Sequence, residues 1–447
     1  MSPPSFPESR AVQLVRWLRT PTQFLDEAAA RFGDVFRLRV PGFDVVVASH
    51  PDTVKELFAM TMDQGHAGKA NAVLRPFVGE HSVLVLDGKE HQRHRKMMMP
   101  AFHGERMHAY GRAMLEAAHE SIDRWPTDRA FPVHARTQAI TLDVIVRTVF
   151  GMASGPRFAE LERHLARTLD LGAWPPLLVP QMQRDLGPWS PWGKFQRSSA
   201  RVNDILISEI RDGRANGTGN RQDVLALLLA ARDEAGAPLS EDEVRDELVT
   251  LLVAGHETTA TGLAWALRWI APNASLVARL RAELATATEN GELSPEKVAR
   301  LELLDGCVKE ALRLSPVVPM VARVLQEPRR VLGHDLPSGS VLAASIYLVH
   351  RRPDLYPNPG SFDPDRFRTW KPAPSEWLPF GGGIRRCVGA AFAIYEMKMV
   401  LAAILARTDI ALATTEVPTE RRAITLTPKD GLPIRLLARR DRRLVAA

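Results

Sequence analysis

Apolar positions along this chain recur mostly three and four residues apart, and alternating runs are confined to a few places. Near the start, Val35-Phe36-Arg37-Leu38-Arg39-Val40 and Asp44-Val45-Val46-Val47-Ala48 flank Pro41-Gly42, which predicts a β-hairpin. Helical spacing follows from Pro51 and returns over 105–122 and 134–150. The stretch 172–197 holds five prolines, three glycines and three tryptophans, too apolar for a linker and too proline-rich for a helix. It predicts an ordered loop between two helices, and 212–222 predicts a polar surface loop. The longest periodic run is 241–271, ended by Pro272, and would extend ~46 Å at 1.5 Å per residue. Ser240 and Glu243 form a capping box at its start. Leu248, Leu251, Leu252, Gly255, Thr259, Gly262, Ala266 and Trp269 share one face. A glycine at the middle of so apolar a helix implies either close packing of another helix or something other than a side chain against that face. The pattern is mainly α with a smaller β-rich region (α+β), the strands lying near 33–50 and 320–345, within a single domain spanning 1–447.

Composition removes several classes. With 447 residues, 45% hydrophobic and 25% charged, the chain is neither disordered, collagen-like nor a membrane protein. The net charge is +6, but the basic residues are interleaved with acids, the one dense run being Arg439-Arg440-Asp441-Arg442-Arg443. No nucleic-acid motif accompanies the charge, and a basic patch for an acidic protein partner is the better reading. No stretch approaches 18 uninterrupted apolar residues and Met1–Arg10 lacks an apolar h-region, so a cytoplasmic protein without a membrane span is expected. Two cysteines, Cys307 and Cys387, exclude a disulfide scaffold and zinc ribbons.

The two cysteines are not equivalent. Cys307 lies in DGCVKEALRLS, an ordinary helical pattern, and reads as a structural thiol. Cys387 lies in PFGGGIRRCVGAAFAIYEMKMV, after three glycines and just before a helix. Backbone N–H groups and the helix dipole there, with Arg385 and Arg386 alongside, favour a thiolate. A nucleophilic cysteine would need a nearby base, and a phosphate loop would need Lys-Ser/Thr after its glycines. An axial ligand to haem iron needs one cysteine alone. Phe380, Gly383, Arg385, Cys387 and Gly389 match F-x-x-G-x-R-x-C-x-G, five fixed residues that coincide by chance at roughly one position in three million. The segment resembles the haem-thiolate signature of the cytochrome P450 superfamily. The resemblance implies a long central helix over a haem with a cysteine loop beneath it. Cys387 becomes the iron ligand, Arg385 a partner of a haem propionate, and Phe380 a neighbour of the thiolate.

Other segments carry the same resemblance. Ala254-Gly255-His256-Glu257-Thr258-Thr259 is similar to the family's oxygen-activation motif. It implies that Ala254 and Gly255 let haem and dioxygen approach, that Thr258 acts on the bound dioxygen, and that Glu257 relays protons. His256-Glu257 also begins an H-E-x-x-H zinc motif, but position 260 is Ala260, so that reading fails. Glu310-Ala311-Leu312-Arg313 matches E-x-x-R, and Pro364-Asp365-Arg366-Phe367 resembles the segment whose arginine completes a buried network. Glu310, Arg313 and Arg366 are therefore expected to lock the cysteine loop. His91 and Arg95, four apart on one helical face, and Arg323 match positions that contact the propionates. His94, His103 and His108 read as surface or packing residues. Ala254, Val317, Val318 and the 62–88 and 172–197 segments are expected to line the substrate pocket.

The resemblance implies a monooxygenase with haem b (iron protoporphyrin IX), O2 as co-substrate, and a lipophilic small molecule such as a fatty acid or terpenoid. KMMMPAFHGERM and RRCVGAAFAIYEMKMVLAAIL look most like a bacterial subgroup of cyanobacteria and myxobacteria that oxidises such compounds. With no room for a fused reductase, electrons from NAD(P)H are expected to come from a ferredoxin-type donor, docked near Arg93, Arg95 and Lys96 of a monomer. A peroxide-driven peroxygenase on the same fold, or a haem-binding sensor, are the alternatives that the Glu257-Thr258 pair argues against.

Overall fold

The computed structural model describes residues 2–442 apart from 103–105, 152–154, 175–176, 178–181, 218, 220 and 222. His103 and Arg443 fall outside the described residues, as does the side chain of His108.

The hairpin forms as the pattern requires. Val35–Val40 pairs antiparallel with Phe43–Ala48, and Gly42 supplies the positive φ of 75° at the turn. Its second strand pairs in parallel with Val341–Ser345, which pairs antiparallel with Met320–Leu325, and Gly65–His66 completes a five-stranded sheet. The two β-rich regions of the sequence thus close on each other and form one sheet.

The long helix runs Glu241–Ile270. Its capping box is closed in both directions: Glu243 N–H donates to Ser240 Oγ at 3.1 Å and Ser240 N–H donates to Glu243 Oε2 at 2.7 Å. Leu248, Leu252, Leu263, Ala264, Leu267 and Ile270 are wholly buried along it, in the largest apolar cluster of the protein. Helices Val133–Phe150 and Ala390–Arg407 pack against its flanks.

Gly255 faces the first of these. A Cβ there would lie 2.6 Å from Ile145 Cδ1, so close helix packing is what requires the glycine. Helix packing is thus one reason for the small residue at 255. Four polar side chains at i, i+3, i+4 and i+7 on the same neighbouring helix bond the long one. His134 Nε2 lies 3.1 Å from Thr261 Oγ1, Thr137 Oγ1 donates to Ala260 O at 2.9 Å, Gln138 Nε2 donates to Glu257 Oε2 at 2.7 Å, and Thr141 Oγ1 donates to His256 O at 3.1 Å.

The loop expected over 172–197 is shorter. Helix Pro156–Gly172 precedes it, and a second helix, Pro191–Asn216, begins inside it. Pro191 sits in the first turn, where its missing N–H costs nothing, and Ser190 Oγ accepts from Gly193 N–H at 3.2 Å. The same helix takes in the first residues of the 212–222 stretch.

Candidate active site

Gly381 and Gly383, with φ of 64° and 62°, bend the chain before Cys387. Gly382 and Gly383 press on Phe58: a Cβ on Gly383 would stand 2.0 Å from Phe58 O, and one on Gly382 2.1 Å from its ring. Only glycine fits either place. Cys387 N–H then donates to Phe380 O at 3.0 Å, which closes the loop, and Gly389 caps Ala390–Arg407. The Phe380 ring packs edge-on against Trp377 at 6.1 Å. A Cβ on Gly389 would meet nothing within 4 Å and its φ is −86°, so no contact within the chain demands glycine there. What it leaves is open space two residues from the sulfur.

The Cys387 thiol is accessible yet ringed by protein. Burial pushes its pKa up, against the opposing pull of the Gly389 N–H, Arg95 and Arg386. A metal cation at the sulfur would supply further counter-charge favouring the thiolate. Cys307 is completely buried with its thiol pKa far above the ordinary value, an inert structural group.

Beside the loop is an excess of positive charge. His91 is 3% exposed, and its Nδ1 has no hydrogen-bond partner. Its pKa falls to about 3 because of burial and because Arg385, Arg95 and Arg323 all face it. Burial also lowers Arg323 and Arg385 to about 10. Arg385 donates to Leu86 O at 2.7 Å and Leu84 O at 3.1 Å, with the Asp87 carboxylate 4.0 Å away. Arg323 donates to its own strand at Ala322 O, 2.9 Å. One buried and two half-buried guanidiniums, with an imidazole whose Nδ1 is unpartnered, call for an anion. The two propionates of a haem match that demand, and the open space at Gly389 suits a flat macrocycle, so the residues fit the group.

The middle of the long helix is half-exposed at several positions, among them Leu251, Ala254, Gly255 and Thr258, an i, i+3, i+4, i+7 stripe. Thr258 Oγ1 donates to Ala254 O at 2.5 Å. Glu257 points away toward Gln138, with Arg422 Nε 3.5 Å and His134 Nε2 3.6 Å from Oε1. Arg422 also donates to the exposed Asp170 at 2.7 Å, so the charged chain reaches the surface. Burial raises the Glu257 pKa, opposed by Arg422 and Gln138.

The chain from residue 3 to residue 434 matches the sequence profile of the family described as Cytochrome P450. This protein belongs to the cytochrome P450 family. The P450 is 39% identical over 445 residues to "Putative cytochrome P450 135B1" of Mycobacterium tuberculosis, covering 98% of this chain and 92% of that protein. It is 36% identical over 444 residues to "Putative cytochrome P450 135A1" of the same species, covering 98% and 96%. Among solved structures it resembles "Retinoic acid bound cyanobacterial CYP120A1", with a TM-score of 0.84, 26% identity, and 98% and 99% of the two chains covered. It is therefore a haem-dependent P450 monooxygenase, an oxidoreductase that uses dioxygen. No helix among the described residues is long and apolar enough to cross a membrane.

Several sequence expectations take a different form in the P450. Glu310 and Arg313 are both completely buried, and Arg313 Nε and Nη2 each donate to the Glu310 carboxylate at 2.7 Å. Arg366 Nε stands 3.5 Å from Glu310 without hydrogen-bond geometry. No hydrogen bond among the described residues joins these three side chains to the cysteine loop directly.

In the basic cluster expected to dock a donor, Arg93 pairs with Asp233 and Glu243, and the exposed Lys96 with Glu234. Arg95 instead faces Cys387. His94 is a packing residue, with Nδ1 2.7 Å from Glu247 and Nε2 3.2 Å from Glu243. Val317 is buried in the main core, whereas Val318 is half-exposed. Trp192 and Phe195 of the 172–197 stretch pack with Phe77 of the 62–88 region, while Trp189 is 85% exposed. A separate cavity of about 500 Å³ near Tyr110 and Phe150 is lined by Arg147, Glu209, Arg221 and Asp223, each already in an ion pair.

Sequence reasoning missed Gln138, Arg422 and His350. None lies in a motif, and each acts through a partner more than a hundred residues away or through backbone groups that no side-chain pattern encodes.

Proposed function

We propose that the P450 inserts one oxygen atom of O2 into a lipophilic small molecule, a fatty acid, terpenoid or similar compound, held against the half-exposed stripe of the long helix. The observation that carries this reading is the group of Arg95, Arg323, Arg385 and unpartnered His91 around an accessible Cys387. Haem b bound there through Cys387 supplies the reductive activation of dioxygen, which thiolate ligation favours. Overall, substrate, O2, two electrons and two protons give hydroxylated or epoxidised product and water.

The chain's own residues have separable tasks. Arg323, Arg385, Arg95 and His91 hold the propionates. Phe380, Gly383 and Gly389 keep the sulfur exposed at a fixed height. Ala254 leaves room on the distal side, and Thr258 presents a hydroxyl to the reacting oxygen atoms. Glu257, its pKa raised by burial, holds a proton at a carboxyl oxygen, and Arg422, which also reaches the exposed Asp170, orients that carboxyl. Leu251, Ala254 and Val318 offer apolar contacts to the substrate, and the retinoic acid in the cyanobacterial relative supports a long apolar ligand. Electrons come from NAD(P)H through a separate ferredoxin-type donor, and the protein acts in the cytoplasm as a monomer.

The test is the reduced carbon-monoxide spectrum of the holoprotein. It is expected to show the red-shifted Soret band of thiolate ligation, which Cys387→His abolishes and Cys307→Ala leaves intact. The reverse pattern overturns the assignment.

A further inference from the structure

His350 sits at the end of the short helix Ile346–Val349, completely buried. Its ring makes two hydrogen bonds, both to backbone. Nδ1 lies 3.2 Å from Arg313 O, and Nε2 lies 2.9 Å from Leu378 N. A carbonyl only accepts and an amide N–H only donates, so the imidazole is neutral, with its proton on Nδ1 and its lone pair on Nε2. Burial and the neighbouring Arg313 lower its pKa well below the usual value, in keeping with that tautomer. The backbone of the same residue is also engaged, because Arg313 Nη1 donates to His350 O at 2.7 Å. His350 is thus bonded on both sides to the residue that holds Glu310.

From Leu378 the connection runs straight into the cysteine loop. Gly381 N–H donates to Leu378 O at 3.0 Å, and two residues beyond Leu378, Phe380 O receives the Cys387 N–H. Trp377 makes a second, outer tie by donating to Lys309 O at 3.2 Å. Since the Glu310, Arg313 and Arg366 side chains make no direct bond to the loop, their rigidity must reach it through another group.

We propose that His350 is a positioning residue: its ring passes the rigidity of the Glu310–Arg313 pair to the cysteine loop by holding the Leu378 N–H, and so fixes the sulfur for iron. The inference rests on Cys387 being the ligand. Its two ring bonds are separable by substitution. Glutamine places an amide oxygen near the Nε2 position and keeps the bond to Leu378. Asparagine reaches only the Nδ1 position and keeps the bond to Arg313 O.

The experiment follows the red-shifted carbon-monoxide Soret band of reduced holoprotein over time at 37 °C, alongside thermal melting by circular dichroism. His350→Ala and His350→Asn are expected to lose the band roughly tenfold faster than the unsubstituted protein, because a buried N–H is left unpaired. His350→Gln is expected to lose it at close to the original rate. A shared drop in melting temperature with no difference in band lifetime between Asn and Gln would mean plain packing and overturn the proposal. Rescue by Asn rather than Gln would overturn it too. A red-shifted band missing from the unsubstituted protein, or surviving Cys387→His, is a distinct result that removes the premise instead.

Discussion

Arg313→Ala is expected to leave Glu310 as a fully buried carboxylate facing only the Asp363 N–H at 3.0 Å and the Arg366 guanidinium at 3.5 Å. It also strips donors from three carbonyls, those of His350, Pro359 and Ser361, which Arg313 reaches at 2.7, 2.8 and 3.1 Å. Breaking a buried ion pair by removing one partner costs about 3–5 kcal/mol, a large share of the ~5–15 kcal/mol by which folded proteins exceed unfolded ones. At about 2.1 cal/mol/K per residue, unfolding 447 residues changes entropy by about 0.9 kcal/mol/K, so the melting temperature should fall by about 3–5 °C. Arg313→Lys should fall in between, since one ammonium cannot serve both the carboxylate fork and three carbonyls. A Glu310→Leu, Arg313→Met double variant removes both charges and should melt above Arg313→Ala, because the penalty belongs to the orphaned charge more than to the missing pair. The assay is thermal unfolding of the holoprotein by circular dichroism with the Soret absorbance in parallel. Melting of Arg313→Ala within ~1 °C of the unsubstituted protein, or a double variant less stable than the single, would refute the reasoning.

Three further outcomes follow from the long helix and its neighbour Val133–Phe150. Thr258→Ala should keep consuming dioxygen while product per dioxygen drops and peroxide rises, and Glu257→Gln should slow product formation roughly 100-fold; an oxygen electrode with peroxide and product assays reads both, and unchanged coupling removes Thr258 from its role. His134 and His256 are held neutral by burial, with pKa values lowered to about 4 and about 3, against about 6.5 unfolded. Below pH 6.5 the unfolded chain binds protons that the folded one refuses, so stability falls with acidity, by roughly 1.4 kcal/mol per pH unit for each imidazole, until the folded pKa is reached. His256→Gln should flatten the pH dependence of the urea midpoint over pH 4.5–6.5, and an unchanged slope would show that His256 does not titrate on unfolding.

Much of the architecture was legible because it rests on local chemistry. The long helix was bounded by the Ser240/Glu243 box and Pro272, and it ends at Ile270 as that punctuation requires. The hairpin matched its alternation to within a residue. Expectation and structure part at 172–197, which proline marks as irregular, yet Pro191 occupies a first-turn position that tolerates it. Gly255 meets Ile145, so helix packing accounts for part of its smallness. The cation group around His91 was visible as residue types in motifs, but the 4.0 Å separation of the Asp87 carboxylate from Arg385 was not, because charge balance is a property of space. The acidic partners of the basic run at 93–96 were hidden likewise: Asp233, Glu234 and Glu243 come back to it across more than a hundred residues.

The four polar contacts between Val133–Phe150 and the long helix have a consequence for how this protein can vary. Apolar surfaces tolerate sliding, since one methyl group substitutes for another. Four directional bonds spread over two turns do not, because a shift of one residue, ~1.5 Å along the axis, would break all of them together. The helix that carries Glu257 and Thr258 is thereby indexed from its back. Side chains on its front, at Leu251 and Ala254, are free to change in size without moving the turn that bears the proposed catalytic pair. Substrate range can diversify on one face while the oxygen chemistry stays calibrated by the other.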